Sequence, residues 1–176
     1  MRNGFFTPGI CILFTLSLAA QQPAANGVEA QREAMRKLSF LMGHWSGPVN
    51  IVRGPGEALQ LTQTEDVGYK LDGLVLMIEG KSTSADGKVP FSALATIAYD
   101  DTSRTYRFRA YNDGHYLDTE LSVTGNGFSW SFNAGPAHVV NTMHLTGKGE
   151  WEEITEVSVG GSPPHRSMNM LLQHLP

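Results

Sequence analysis

The hydrophobic pattern of the chain changes once, near residue 43. Before that point apolar side chains recur at helical spacing, and after it they alternate with polar ones in short segments. The helical positions are Ala34, Met35, Leu38 and Leu41. Asn26 followed by Glu29 is typical of a helix N-cap with a carboxylate in the first turn. The pattern therefore predicts one helix, ended by Gly43, and strands from there onward.

Ten short segments follow, and each ends at a break rich in Gly, Asp, Asn or Pro. The predicted strands are Trp45 to Arg53, Leu59 to Tyr69, Leu74 to Thr83, Phe91 to Tyr99, Arg104 to Tyr111, His115 to Val123, Phe128 to Phe132, His138 to Leu145, Trp151 to Val159 and His165 to Leu175. Such breaks are typical of β-hairpins. No gap between strands is long enough for the crossover helix that parallel pairing requires, so we expect antiparallel pairing of sequence neighbours.

Ten antiparallel strands would leave long edges exposed unless the sheet closes on itself. We therefore predict an all-β fold: an antiparallel up-and-down barrel of about ten strands, with the N-terminal helix capping one end. The competing architecture is a sandwich of two sheets. A sandwich usually needs longer connections between its sheets, and this sequence lacks them.

Alternation along the strands indicates which side chains point into the barrel. The apolar rows are Phe128, Trp130 and Phe132; Tyr106, Phe108 and Ala110; Phe91, Ala93, Ala95, Ile97 and Tyr99; and Met168, Met170 and Leu172, the last with Arg166 and His174 at its two ends. These rows must point inward, because the other face of the sheet meets water. A ten-strand barrel is too wide for its inward side chains to fill completely, so we expect space for a ligand.

The first residues of the chain are typical of an export signal rather than of the barrel. Met1 and Arg2 form a short positive end, the stretch 10–20 is apolar, and Ser17, Ala19 and Ala20 are small enough for cleavage. The alternative is an uncleaved membrane anchor, which needs roughly 20 apolar residues. We predict a signal peptide at 1–20, a flexible leader at 21–27, a barrel domain at 28–176, and a periplasmic or secreted location.

Composition excludes several kinds of chemistry. The only cysteine, Cys11, lies within the predicted signal, so the mature chain would have no disulfide, thiol nucleophile or thiolate metal ligand. Loss of Arg2 with the signal would change the formal net charge from −4 to −5. There is no basic run, so we expect neither a nucleic-acid partner nor, after signal cleavage, a membrane partner.

The stretch LSFLMGHWSG joins the predicted helix to the first strand. Gly43 would permit the sharp turn, Trp45 would be the first inward side chain, and Gly47 would leave room beside the indole. Together with LDGLVLMIEG and IAYDDTSRTYRFRAYNDG, this stretch resembles a bacterial, often exported family of calycin-like barrels related to lipocalins and fatty-acid-binding proteins. The resemblance covers roughly Leu38 to Leu175. It implies an end-closing role for Trp45, over which calycins commonly pack a basic residue from late in the chain.

A more distant resemblance is to the nitrobindin-like haem-binding barrels, which share the Gly-x-Trp-x-Gly opening. Those proteins carry a proximal histidine on the final strand, and only His174 in LLQHLP could match it. The resemblance therefore implies haem as a cofactor, with the His174 imidazole on the iron. The alternative is that His174 lies at the barrel rim or packs near Trp45.

The sequence gives little indication of any other metal-binding or catalytic site. His138 and His144 lie near 20 Å apart on one strand face, at about 3.3 Å per residue, which is too far to share a metal. No Gly-x-Ser-x-Gly turn is present. The acidic cluster of Glu150, Glu152, Glu153 and Glu156 is best explained as a solvated outer strand face. A barrel isomerase or cyclase would need an inward acid or base, and Asn141 is the only obvious inward polar group in its strand.

The leading functional hypothesis is an exported protein that binds a small apolar or amphipathic molecule inside the barrel. The expected ligand-binding residues are Trp45, Phe91, Tyr106, Phe108, Trp130, Met168 and Met170. The haem-binding barrel is the second hypothesis and the enzyme is the third. Oligomeric state does not follow from the sequence.

Overall fold

A computed structural model describes residues 24–52 and 58–176 of the chain. The elements are helix α1 (Ala24–Arg36), a 3-10 turn (Ser39–Leu41), and strands β1 (Gly43–Ile51), β2 (Leu59–Lys70), β3 (Val75–Thr83), β4 (Phe91–Asp100), β5 (Thr105–Asn112), β6 (His115–Val123), β7 (Gly127–Ala134), β8 (Ala137–Leu145), β9 (Trp151–Val159) and β10 (His165–His174); a second 3-10 turn (Leu71–Gly73) joins β2 to β3. The ten strands fall where alternation and turn residues predict them.

The ten strands form one closed barrel in which every pair of neighbours is antiparallel. Each strand pairs with the next in the sequence, and β10 pairs with β1 to close the ring, with Val49 opposite Met170. The predicted all-β up-and-down barrel with a helix before its first strand is confirmed, and the sandwich alternative is wrong.

The N-terminal helix differs from the expectation at both ends. It begins at Ala24, inside the stretch 21–27 expected to be a flexible leader, and it ends at Arg36 rather than at Gly43. Alanine is the strongest helix former, which favours the earlier start. No helix in the part of the chain that the structure describes is long and apolar enough to cross a membrane. The predicted signal peptide, 1–20, lies outside the described residues.

Helix α1 and the 3-10 turn after it cover one end of the barrel. Met35, Leu38 and Leu41 are completely buried there. Two tyrosines from the barrel wall hold the helix in place: the Tyr69 hydroxyl donates to the Met35 carbonyl oxygen at 2.5 Å, and the Tyr106 hydroxyl donates to that of Ala34 at 2.7 Å. Both carbonyl oxygens also accept a backbone hydrogen bond from the turn that follows the helix, so the tyrosines tie the helix end to the barrel wall as additional donors.

Trp45 forms the floor above this helical cap. It is 3% exposed, and its indole Nε1 donates to the Leu41 carbonyl oxygen at 2.8 Å. Its ring meets Trp151 edge to face at a centroid distance of 5.7 Å, and the His174 imidazole edge to face at 4.8 Å. Such edge-to-face pairs are favourable beyond their buried area. Trp45 therefore lies at the closed end of the barrel, and the residue from late in the chain that packs against it is His174.

The two glycines around Trp45 have different roles. Gly43 has a φ of +116°, a left-handed conformation that favours glycine, and it makes the turn into β1. Gly47 was expected to leave room beside the indole, and that expectation is wrong. Its free side is taken by the backbone of β10, where a Cβ atom would overlap the Leu171 carbonyl oxygen and crowd the Leu172 Cα. Gly47 therefore permits the close approach of the two strands that complete the ring.

Replacing Gly47 should destabilise the barrel at its closing seam. In Gly47→Ala the new Cβ meets backbone, which cannot rotate away, so β1 and β10 must separate locally. We expect the free energy of unfolding to fall by about 3 kcal/mol, as measured by urea denaturation. The control is Gly68→Ala in β2, where nothing lies within 4 Å of the added methyl. Equal stability of the two variants would contradict the close approach.

Candidate functional site

A cavity of about 540 Å³ occupies the half of the barrel away from α1. It reaches from Trp151 and Phe128 near the floor to the opposite strand ends, at Ile51, Phe91 and Asn112. Its volume lies within the roughly 300–1,000 Å³ typical of small-molecule sites. Six aromatic side chains contribute to the wall: Phe91, Phe108, Phe128, Trp130, Phe132 and Trp151.

Five of the seven residues expected to bind a ligand line this cavity: Phe91, Phe108, Trp130, Met168 and Met170. Trp45 and Tyr106 point inward but do not line it, because they lie at the end that α1 covers and pack under the helix. Alternation predicted the inward face correctly, but it does not tell how far along the barrel the space extends. A ligand-binding role for any of the seven stays a prediction.

His174 lies outside the cavity. Its ring packs on Trp45 at the closed end, and its Nε2 lies 3.1 Å from the Met42 carbonyl oxygen. A carbonyl accepts, so Nε2 carries a proton in this contact and cannot also bind iron. Among the described residues, the cavity lining contains no histidine and no basic side chain that could pair with propionates. The residues in the described chain therefore do not fit haem, and the alternative position near Trp45 is the observed one.

Two clusters of polar side chains interrupt the apolar wall, and the first lies on β2 and β3. Glu65 is 9% exposed, and its Oε1 accepts a hydrogen bond of 2.7 Å from the Gln63 amide. Gln63 in turn accepts a hydrogen bond from the buried hydroxyl of Ser82. The carboxylate lies over Gly80, where a Cβ would come within 2.7 and 2.8 Å of its two oxygens. The absence of a side chain at Gly80 thus makes the space that Glu65 fills.

The second polar cluster lies on β8 and β9. Glu153 is also 9% exposed, and its Oε2 accepts a hydrogen bond of 3.1 Å from the Trp151 indole. Beside it the Thr155 hydroxyl donates to Asn141 Oδ1 at 2.6 Å. Asn141 is therefore inward, as alternation predicts, but it is already engaged by its neighbour on β9.

Both buried carboxyls have pKa values far above the ordinary range. Burial raises the pKa of Glu65 to about 8, and the nearby charge of Glu153 adds to the increase while the Gln63 hydrogen bond opposes it. Burial raises the pKa of Glu153 to about 7, against the effect of the Trp151 hydrogen bond. Removal from water penalises the charged form of a carboxyl more than one neutral donor can offset. At pH 7 Glu65 is therefore mostly protonated, and Glu153 is about half protonated.

The assignment of Glu153 to a solvated outer face is wrong. Trp151 and Thr155, two residues before and after Glu153, are on the same face of β9 and point inward with it. Glu152 is on the outer face, where its Oε2 lies 3.3 Å from His144 Nε2. Glu65 carried no recognised signal, because the segment LTQTEDV is polar on both faces and alternation alone does not orient it. The small residue opposite Glu65 in β3, Gly80, was the available clue.

Comparison with known proteins supports the architecture alone. No family model matches the chain, and no curated protein matches it. Among solved structures, the crystal structure of Rv2717c from M. tuberculosis has a TM-score of 0.61 over 81% of this chain and 98% of that chain, at 15% sequence identity. At this identity the likeness shows a common barrel fold. Within the described residues, no group of three or more His, Cys, Asp or Glu side chains could hold a metal ion.

The buried carboxyls should make stability depend on pH in an unusual direction. Between pH 4.5 and about 8 the folded chain keeps a proton on Glu65 that the unfolded chain releases. The free energy of unfolding should therefore fall as pH rises through this window, by on the order of a few kcal/mol. Glu65→Gln removes the titration and should be more stable than the parent at pH 8 while differing little at pH 4.5.

Urea unfolding at several pH values between 4.5 and 8 measures this dependence. The matched control is Glu79→Gln, which replaces an exposed glutamate on the neighbouring strand β3. It should follow the parent at every pH. If Glu65→Gln also followed the parent throughout, Glu65 would not be buried as the structure has it.

Proposed function

We propose that this chain is an exported binding protein that encloses a small apolar or amphipathic molecule in its barrel. The cavity of about 540 Å³, with its mainly apolar wall, is the observation that carries the proposal. Enclosure in such a wall removes apolar ligand surface from water, which is the main favourable contribution to binding of this kind. The closed end is sealed by Trp45 and α1, so a ligand would enter from the opposite strand ends.

Two parts of the proposal rest on the sequence. Export rests on the signal-like pattern at 1–20, and the relation to calycin-like barrels rests on the stretches around Trp45, Leu74 and Tyr106. The acidic net charge, −4 for the full chain, supports a role without nucleic acid. The N-terminal sequence of the protein recovered from the periplasm or medium tests export, and an intact Met1 would contradict it.

Filling the cavity should abolish ligand binding without unfolding the barrel. Ala93 lines the cavity, and in Ala93→Phe the added ring would fill part of the cavity volume that the ligand is proposed to occupy. We expect organic extracts of the natively purified parent protein to contain a bound small molecule by mass spectrometry. Extracts of Ala93→Phe should contain at least tenfold less of this molecule. The reason is that the ring would displace apolar contact between ligand and wall, and a loss of about 1.4 kcal/mol in binding free energy is a tenfold loss of affinity.

The matched control is Ser92→Phe, which places the same ring on the adjacent, exposed position of β4. Its extracts should resemble those of the parent. Extracts without any bound molecule, combined with no thermal shift across a panel of lipids, would contradict the proposed function.

Acid–base catalysis is a second candidate function, favoured by the inward position of Glu65 and Glu153. A barrel isomerase needs such groups: one carboxylate removes a proton from carbon, and a neutral carboxyl returns one. An amphipathic ketone held in D₂O should then exchange the hydrogens beside its carbonyl about 100-fold faster than in buffer, by mass spectrometry. The double variant Glu65→Gln/Glu153→Gln should exchange at the buffer rate. No acceleration by the parent protein would contradict this candidate.

A further inference from the structure

The two cavity carboxyls lack any positively charged partner in the described chain. Neither Glu65 nor Glu153 forms an ion pair with a described residue. Each uses one oxygen to accept a hydrogen bond, Oε1 of Glu65 and Oε2 of Glu153, while no described donor reaches the other oxygen. Both side chains line the cavity, and no described side-chain polar atom is sealed away without a partner. The free oxygens are therefore open to the cavity.

The packing around Glu65 makes this a formed site rather than an accidental pair of acids. Gly80 leaves the space that the carboxyl occupies, and Gln63 and Ser82 fix its orientation through a chain of hydrogen bonds. On β9, the Trp151 indole holds Glu153 through a hydrogen bond in a similar way. A carboxyl held in one position on a buried wall, with one oxygen left free, is suited to accept a donor from a ligand.

Aromatic side chains line the same cavity as these carboxyls. Trp130 packs against Phe108 at a centroid distance of 4.8 Å and against Phe128 at 5.7 Å, and all three line the cavity. The negative faces of aromatic rings attract organic cations, and tryptophan does so best. Carboxyl oxygens together with aromatic faces favour a nitrogen cation over an anionic head group, which would meet two acids and no base.

On these grounds, and resting on the proposed function, we propose that the cavity binds an amphipathic amine. Its protonated nitrogen donates to the free oxygens of Glu65 and Glu153, and its apolar body lies against the aromatic wall. The ammonium supplies the positively charged partner that neither carboxyl has among the described residues. Charge-assisted hydrogen bonds of this kind are about twice as strong as neutral ones. A carboxylate of the same length has the opposite charge, so it gains no such ion pair and is repelled by whichever of the two carboxyls is ionised.

Proton linkage gives this site a characteristic pH dependence. Glu65 and Glu153 are the only titratable side chains among the described residues that line the cavity; the polar groups beside them are Gln63, Ser82, Trp151, Asn141 and Thr155, which stay neutral. An ammonium binds the carboxylate form and must displace a proton at lower pH. Because each carboxyl must lose a proton to pair with the ammonium, affinity for an amine should fall from about pH 8 downward, by up to about a hundredfold per pH unit once both are protonated below pH 7. Affinity for an uncharged alcohol should not change in this way.

The test uses octylamine, octanol and octanoic acid as probes of equal chain length, with the full protein stripped of bound lipid. Isothermal titration calorimetry at pH 7.5 should give at least tenfold tighter binding of octylamine than of octanol, with octanoic acid weakest. At pH 5.5 the preference for the amine should largely disappear. Glu65→Gln and Glu153→Gln should each lose most of the amine preference while still binding octanol, which shows that the cavity remains intact. The control Glu79→Gln should behave as the parent.

Each other outcome is decisive. If octanol binds as tightly as octylamine at pH 7.5, the amine site is wrong while the proposed binding function stands. If the amine preference survives in both cavity variants, the two carboxyls are not its source and the inference fails. If none of the three probes binds, the proposed function and the amine site fail together.

Discussion

The pairing of β10 with β1 is the interaction on which the rest of the structure depends. It converts an open ribbon of hairpins into a ring without edges, so every alternate side chain is enclosed by the sheet. The sequence permits this seam through Gly47, whose missing side chain leaves room for the backbone around Leu171. Trp45, one inward position before Gly47 in the same seam, closes the end of the ring against the 3-10 turn and His174.

Ring closure also explains why two glutamates have unusual acid–base behaviour. On an exposed sheet Glu65 and Glu153 would be ordinary carboxylates. Inside the barrel they lose water, and among the described residues each finds a single hydrogen-bond donor. Burial of such groups opposes folding, and a purely structural core would favour apolar residues at both positions. Polar groups within an otherwise apolar pattern are expected at functional sites, because groups needed for binding or catalysis are kept there even when they lower the stability of the fold.

Much of the architecture could be predicted from the sequence, because alternation and turn residues are local signals. The rows at Phe128 to Phe132 and Phe91 to Tyr99 gave both the strands and their inward faces. The position of the cavity along the barrel axis could not be predicted, since it depends on how deeply α1 and Tyr106 fill one end. Glu65 and Glu153 escaped prediction because an inward glutamate looks like a surface residue until its partners across the sheet, Gly80 and Met170, are known.

The closed ring encloses two carboxyls in a mainly apolar chamber, and the titration of these carboxyls tests this enclosure most directly. Carbon-13 NMR of protein labelled at the glutamate carboxyl carbons follows each group, and Glu65→Gln and Glu153→Gln assign the two resonances. The structure predicts that these two groups titrate near pKa values of about 8 and about 7. If all glutamates titrated together in the ordinary range, near 4.3, the two carboxyls would face water and the chamber would not exist as described.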